Sequence, residues 1–284
     1  MHFLEELRWK SGFVCQSCGD KEYWSQASGL RRCKSCRFDN SVKVGSIFES
    51  SRLSLKTWFY AIWWITVQKT GVSALGLQRN LGLGSYRSAW LLLHKIRNSM
   101  IHADRSLLTG EVEVDEAFIG GFKSGKRGRG AEGRQLIVIA AECVGKKRVG
   151  RIRIQKINDA SANTLEKFIT ETISKGSVIY TDGWRGYSNV AGIGYKHIAT
   201  KSATVDPNEL LPRINSVTAL LKRWLLGTLH GRLDEKHMDN YFEEYAFRFN
   251  RRTSKARGQL FQRVLENSFR VNPTPYKKII ARKP

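Results

Sequence analysis

The feature that most limits the fold of this chain is a short acidic strand. Residues 111–121 read EVEVDEAFIGG and place four carboxylates within six residues. Strand side chains alternate between the two faces, so Val112 and Val114 are predicted to face a core and the acids to share the other side. Clustered carboxylates repel one another and are costly to bury, so a hard cation such as Mg²⁺ is expected to neutralise them. Asp115, near the strand's end, is the leading candidate. The alternative is a solvated acidic strand face.

The charge of the chain points to a polyanionic partner. Its 284 residues exceed the usual single domain, and 48 Lys and Arg against 25 Asp and Glu give a net charge of +23. Nucleic acid is the first candidate, and a basic ribosome-like or membrane-surface protein is the alternative. The apolar run 58–67 is too short to cross a bilayer, and the N-terminus shows no secretory signal, so a cytoplasmic protein without a membrane partner is expected.

Four cysteines near the N-terminus have metal-ligand spacing. They form two CxxC pairs, Cys15 with Cys18 and Cys33 with Cys36, separated by 14 residues. Such pairs present four thiolates to one tetrahedral Zn²⁺, and a hairpin of this length lets them meet. A zinc ribbon over residues 1–48 with one structural zinc is therefore predicted. Free or redox-active thiols are the alternative.

Residues 49–108 have a helical pattern. A short helix over 73–81, a turn at 82–84 and an N-cap at Ser85 have the order of a helix-turn-helix. In that motif the start of the second helix enters the major groove, which would place Tyr86 and Arg87 near bases or phosphates. An αα-hairpin with only a packing role would have the same pattern.

The segment 109–252 alternates strands and helices. After the acidic strand, the loop 120–133 is rich in glycine and basic residues and is expected to lie along a phosphate backbone. Its candidate DNA contacts are Lys123, Lys126, Arg127 and Arg129.

A second acid follows a later strand. Residues 136–144 and 149–155 are predicted to continue a three-strand meander, and a helix near 165–173 leads to a strand at 177–181. A helical crossover favours a parallel strand, which ends at Asp182. If the two acid-bearing strands are neighbours, Asp115 and Asp182 meet. The alternative for Asp182 is an Asx turn.

A helix predicted from about Arg213 to Leu226 carries two further candidates. Asn215 and Lys222 are seven residues apart, which is about two turns, so both side chains point the same way. Another helix is predicted over 234–249, and the arginines around its end are expected to follow DNA backbone. Those arginines are Arg248, Arg251 and Arg252. Residues 253–284 are predicted to be a basic C-terminal tail, frayed after Pro273.

Four segments together resemble a known family. VDEAFIGG, YTDGWRGY, INSVTALLKRWLLGTLHGR and EYAFRFNRR are similar to DDE-type insertion-sequence transposases with a ribonuclease H-like catalytic domain. The closer resemblance, from Cys15 to about Arg252, is to the ISXO-like branch with its N-terminal zinc ribbon. It implies a multidomain fold consisting of zinc ribbon, helix-turn-helix segment and α/β ribonuclease H-like mixed-sheet domain.

The resemblance also implies an activity and a set of site residues. The activity is cleavage and joining of DNA ends with two Mg²⁺, or Mn²⁺ in their place, held by Asp115 and Asp182. Where many relatives have a third acid, this chain has Asn215, followed by Lys222 as a cation for phosphate. Glu209 is the alternative third ligand, and an ordinary backbone contact is the alternative for Lys222.

The implied partner is double-stranded DNA, both element ends and target, bound by a homodimer or larger assembly at the nucleoid of a bacterial cytoplasm. Two other functions fit the same sequence. One is a DNA-binding regulator whose sheet is only a scaffold, and the other is a metal-dependent nuclease that cuts without joining. The acid pair favours an enzyme, because a regulator has no need of carboxylates at strand ends.

Overall fold

The computed structural model describes residues 2–68, 70–101, 105–120, 134–145, 148–200, 207–229 and 233–281, with the backbone alone at 207 and 208. Two compact units divide the chain. The first joins Met1–His102 to Ser254–Pro284, and the second is Ala103–Thr253. Within the described ranges, every helix is too short or too polar to span a bilayer.

The regular elements are numbered along the chain. The helices are α1 (His2–Arg8), α2 (Leu55–Val67), α3 (Ala74–Leu81), α4 (Tyr86–Asn98), α5 (Ala162–Thr172), α6 (Pro207–Leu210), α7 (Pro212–Leu229), α8 (Met238–Phe249), α9 (Arg257–Asn267) and α10 (Tyr276–Ile280). The strands are β1 (Tyr23–Ser25), β2 (Arg31–Cys33), β3 (Asp39–Asn40), β4 (Glu111–Ile119), β5 (Gln135–Val144), β6 (Arg148–Lys156), β7 (Val178–Thr181) and β8 (Lys196–Ala199).

Serine side chains begin three helices of the first unit, and the N-cap predicted at Ser85 is confirmed. The Oγ atoms of Ser54, Ser73 and Ser85 each accept a backbone N–H at the start of α2, α3 and α4. Gly82 ends α3 in the left-handed conformation, with φ of 60°. The two predicted helices and the turn between them are therefore confirmed. Their use as a DNA-binding helix-turn-helix stays a prediction.

The end of the chain packs into the same unit as its beginning. Leu260, Val264 and Leu265 of α9 are buried, and α9 contacts α1 and α2. The predicted frayed end is wrong for residues up to 281, because α10 forms there and its Ile279 is buried. Asn98 Nδ2 also donates to Thr274 Oγ1 at 2.6 Å. The apolar spacing within α9 accounts for this packing, since it gives the helix one buried face.

The second unit is built on a five-stranded mixed sheet of order β6-β5-β4-β7-β8. The antiparallel meander of β4, β5 and β6 is confirmed, and so is the parallel strand reached through α5, because β7 pairs in parallel with β4. The fifth strand, β8, is also parallel to β7 and was not predicted. Since β4 and β7 are adjacent, their carboxyl ends lie at the same edge of the sheet.

Helices cover both faces of this sheet. One core, on the α5 side, includes Val112, Val114 and Phe168. The other lies under α7 and α8 and includes Val217 and Phe242. The strand β4 is consequently buried from both sides, which rules out a solvated acidic face: Glu113 in its centre is 3% exposed.

Candidate active site and metal centre

The two predicted acids lie at the same level of the sheet, but the prediction that Asp115 is near its strand's end is wrong. The strand β4 continues for four residues beyond Asp115, because those residues still pair with β5. In the parallel register of β4 and β7, Glu113 is paired with Tyr180. Two further residues along each strand lead to Asp115 and Asp182. Both are half-buried, and both line a cavity of about 890 Å³. Asp115, beyond the last β4 residue paired with β7, and Asp182, directly after β7, thus line one open space.

The electrostatics of Asp115 are unusual for a carboxyl group. Burial is the main cause, followed by the negative charges of Glu116 and Asp182, and together they raise the pKa of Asp115 to about 7. The hydrogen bond from the Glu116 amide to Asp115 Oδ1, at 2.8 Å, acts in the opposite direction. A divalent cation would relieve the repulsion that destabilises the ionised form.

Glu116 also faces this site, although no separate role was predicted for it from the sequence. Its side chain lines the same cavity as Asp115 and Asp182. The phenol of Tyr187 is fully buried nearby, and burial together with the charge of Glu116 raises the pKa of Tyr187 well above its ordinary value. The only sequence signal for Glu116 is its position next to Asp115, and alternation predicts opposite faces for neighbours.

The turn after β7 fixes the position of Asp182. Its Oδ1 accepts the Trp184 N–H at 2.9 Å, so the Asx turn considered from the sequence is confirmed. Gly183 adopts a φ of 81°, which favours glycine at this position. Trp184 Nε1 donates to Ala160 O at 2.9 Å and anchors the turn. Asp182 therefore forms the Asx turn and lines the cavity at the same time.

The helix α7 brings the other predicted side chains to a second cavity. Asn215 and Lys222 line this cavity, of about 570 Å³, which Asp115 and Glu116 line as well. Both side chains are exposed, and they lie on the same side of the helix as the sequence predicts. Glu209, the alternative third ligand, is in α6 and lines neither cavity.

The predicted DNA-contacting residues differ in their surroundings. Tyr86 is 53% exposed at the start of α4. Next to it, the guanidinium of Arg87 stacks 4.2 Å above the ring of Tyr276. The four loop residues lie outside the described part of the chain. They are Lys123, Lys126, Arg127 and Arg129.

The three arginines at the end of α8 make contacts within the protein. Arg248 is paired with Glu244 at 4.0 Å, and Arg251 donates to Phe247 O at 3.1 Å. Arg252 donates to Phe249 O at 2.8 Å and to Val149 O. These contacts give all three arginines a part in holding the fold. Their contact with DNA stays a prediction.

The four N-terminal cysteines form a structural zinc site. Their Sγ atoms all lie within 4.8 Å of one another, and among the described residues no other cluster of three or more His, Cys, Asp or Glu is as close. The Sγ atoms of Cys15 and Cys36 are 3.6 Å apart, and those of Cys18 and Cys33 are 3.5 Å apart. A tetrahedral site with Zn–S bonds of about 2.3 Å has edges of about 3.8 Å, so the donors fit Zn²⁺.

The surroundings of Cys15 favour its thiolate. Burial raises the pKa of the Cys15 thiol, but backbone hydrogen bonds at Cys18 and Ser17 and one from the Asn40 amide outweigh it and lower that pKa to about 6. Asn40 is fully buried, and its Nδ2 lies 3.6 Å from Cys15 Sγ. Hydrogen bonds to metal-bound sulfur fix the ligand's orientation.

Comparison with known proteins adds the following findings. Residues 107–250 match the model of the ISXO2-like transposase domain, and residues 1–38 match that of a transposase zinc-ribbon domain. An uncharacterized protein in transposable element ISH50 of Halobacterium salinarum is 24% identical over 205 residues, in a match that covers 66% of this chain and 67% of that protein.

Two solved structures show a distant likeness. A Mos1 transposase paired-end complex with the left transposon end has a TM-score of 0.31 and 10% identity, covering 75% of this chain and 79% of the other. A pre-cleavage Mos1 transpososome has a TM-score of 0.26 and 10% identity, covering 77% and 80%.

Proposed function

Because this chain belongs to the family of ISXO2-like transposases, we propose that it cleaves and joins the ends of an insertion sequence at a site formed by Asp115 and Asp182. The observation that carries the proposal is the placement of these two carboxylates on neighbouring parallel strands, where both line one cavity. A carboxyl pKa of about 7 at Asp115 supports it, since ionising Asp115 is unfavourable without a counter-charge.

The donor set of the site fits hard divalent cations. Asp115 and Asp182 offer carboxylate oxygens, which Mg²⁺ and Mn²⁺ prefer over nitrogen or sulfur. When bound, two such ions supply Lewis-acid activation of a water or DNA 3′-hydroxyl and stabilise the departing oxygen. The chain's own part is to hold the two carboxylates in place, which it does through the pairing of Asp115 with β5 and the Asx turn at Asp182.

The residues of α7 complete the proposed site. Asn215 contributes a neutral amide oxygen toward the cations, and Lys222 contributes an ammonium group toward the scissile or adjacent phosphate. Both line a cavity with Asp115, which supports these roles over that of Glu209 as third ligand. Glu116 is a further candidate acid, because it lines both cavities.

The proposed domain roles follow from the same family. The catalytic unit is a ribonuclease H-like domain, which the three antiparallel strands followed by two parallel ones support. Duplex DNA, as element ends and target, is the partner, bound by a homodimer or larger assembly in the bacterial cytoplasm. Tyr86 and Arg87 contact it at the start of α4, and the basic residues of the loop 120–133 and the arginines ending α8 follow its backbone.

Two alternatives are separated by their products. A DNA-binding regulator would leave DNA intact. It would have no need of Asp115 and Asp182 at one cavity, which favours an enzyme. A metal-dependent nuclease would cut element ends without joining them. An assay with labelled element ends and a target plasmid therefore has to follow cleavage and strand transfer separately.

The first prediction tests the acid pair. Asp115→Asn and Asp182→Asn should each lower end cleavage and joining by about 10³-fold or more, since each removes the negative charge that holds a cation at the reacting phosphate. End binding, measured by gel shift, should be almost unchanged because the basic surfaces remain. The matched control is Asp159→Asn.

Asp159 suits this control because it lines the same cavity but has an ordinary structural role. Its Oδ1 accepts the Ser161 N–H and the Thr164 hydroxyl, both at 2.9 Å, ahead of α5. Asp159→Asn should retain cleavage and joining. Joining by either the Asp115 or the Asp182 variant at the wild-type rate would refute the proposed site.

A further inference from the structure

Glu113 holds the start of α7 from within the sheet. Its Oε2 accepts the backbone N–H groups of Arg213 at 2.8 Å and Ile214 at 2.9 Å. Its Oε1 accepts Arg213 Nη1 at 2.8 Å. Arg213 continues the connection, because its Nη2 donates to Gly145 O at 2.7 Å. One carboxylate thus joins the middle of β4 to the first turn of a helix 100 residues later in the chain.

This carboxylate is deeply buried for a charged group. Glu113 is 3% exposed, and the side chain of Arg213 is 14% exposed. A buried ion pair adds little net stability, because the desolvation of both charges offsets their attraction, and apolar residues of similar size often serve as well. Stability alone therefore gives no reason for charge here, whereas a directional contact between two elements does.

The position of Glu113 supplies that reason. It precedes Asp115 by two residues, so both side chains project from the same face of β4. On α7, Asn215 follows Arg213 by two residues, and Asn215 and Lys222 line a cavity together with Asp115. The ion pair therefore joins β4 and α7, the two elements that line this cavity, at a point two residues from Asp115 and from Asn215.

We infer that Glu113 and Arg213 are positioning residues that set Asn215 and Lys222 on α7 at the distance from Asp115 which the cations require. This inference rests on the proposed function. An α7 held less firmly keeps its apolar packing but brings Asn215 to the cations with poorer geometry. Groups that orient metal ligands typically contribute about 10–100-fold to metal affinity.

The test compares Glu113→Gln with a matched control elsewhere in the sheet. Glu142 has the same kind of surroundings: its carboxylate accepts the N–H groups of Thr109 and Arg151, both at 3.0 Å, and pairs with the Arg151 guanidinium. It lines neither cavity. Glu142→Gln therefore removes an equivalent buried charge without touching α7.

Three quantities are measured on full-length, zinc-loaded protein. They are the Tm, the Kd for Mg²⁺ from calorimetry without DNA, and the Mg²⁺ concentration that gives half-maximal end cleavage. Both variants should lower the Tm by several degrees. Only Glu113→Gln should weaken Mg²⁺ binding and raise the half-maximal concentration, by about tenfold. Arg213→Lys keeps a cation and both backbone hydrogen bonds to Glu113. It should therefore retain most of the wild-type Tm and Mg²⁺ binding.

Several outcomes would overturn the positioning role. A Glu113→Gln protein with wild-type Mg²⁺ binding would do so, and so would a Glu142→Gln protein with an equal Mg²⁺ defect, since that would indicate a general loosening of the sheet. Absence of Mg²⁺ binding and of cleavage in the wild type would instead overturn the proposed function and this inference together.

Discussion

At the scale of single residues, Asp115 combines three properties of a metal-holding acid. It lies within its strand's run of acids, it lines both cavities, and the pKa of its carboxyl is about 7. An unfolded Asp has a pKa of about 3.9. Between these values the folded chain binds more protons than the unfolded chain, so ionisation of Asp115 lowers the free energy of unfolding as pH rises from about 4 to about 7.

A pH prediction follows for zinc-loaded protein without added Mg²⁺. The Tm of the wild type, relative to that of Asp115→Asn, should fall as pH rises from 5.0 to about 7. Above that pH the difference in Tm should be constant. One extra proton corresponds to about 1.4 kcal/mol per pH unit, or roughly 3 °C in Tm for a chain of this size. Differential scanning fluorimetry of both proteins would measure it.

Added Mg²⁺ provides the control for this prediction, because a cation at the site favours the ionised carboxylate. With Mg²⁺ in excess the pH-dependent difference between the two proteins should shrink. A difference that stays constant from pH 5.0 to 8.0 without Mg²⁺ would mean that Asp115 titrates like an exposed carboxyl.

The residues of the site were predictable to different degrees. Asp182 could be predicted because a strand end is a local signal, and Asp115 because the alternation of acids along its strand is another. The continuation of β4 beyond Asp115 depends on pairing with β5 and could not be predicted. Asn215 and Lys222 followed from helical spacing within one element. The role of Glu113 could not be predicted, because its partner Arg213 is 100 residues away and no local pattern indicates that contact. The sequence assigned it instead to a cluster neutralised by a metal.

At the scale of elements, the same distinction holds. The meander, the crossover helix α5 and the Ser85 cap of α4 were predicted, since each depends on residues within a few positions. The strand β8 was missed because it has only four residues and three of them are polar or alanine. The helices α9 and α10 depend on packing against segments more than 150 residues earlier in the chain.

The prediction at this scale concerns zinc binding by the zinc ribbon, residues 1–48. Its core is a small cluster around Phe13, Cys15 and Cys33, so zinc should supply much of its folding free energy. Purified wild type should contain about one zinc per chain. Cys18→Ser should lose it and make residues 1–48 sensitive to protease, because three thiolates leave the tetrahedral site incomplete.

The remaining cysteine provides a control for that experiment. Cys143 lies in β5, and burial raises the pKa of its thiol to about 11, which disfavours a thiolate ligand. Cys143→Ser should therefore keep a full complement of zinc. Elemental analysis that found no zinc in reduced, unchelated wild type would contradict the assignment of the ribbon.

At the scale of the whole molecule, the charge is the dominant property. A net charge of +23 is large for 284 residues, and it persists although several cations are used internally, such as Arg213 with Glu113 and Arg151 with Glu142. The candidate site in contrast is lined by several acids, among them Asp115, Glu116 and Asp182. The molecule thus combines a cationic surface for a polyanion with an acidic cavity that can accept phosphate only when cations fill it.

The last prediction is a steep salt dependence of binding to duplex DNA that lacks the element ends. Each phosphate neutralised by Lys or Arg releases counterions, so log K should fall with log salt by about 0.9 per contact. Fluorescence anisotropy at a series of KCl concentrations would give this slope for wild type and for Arg87→Gln. Arg87 is exposed at the start of α4, so its loss should reduce the slope by about one contact. Asp115→Asn should leave the slope unchanged in the absence of Mg²⁺, because it alters the cavity and not the cationic surface. A nearly flat dependence for wild type would show that the excess positive charge serves a partner other than DNA.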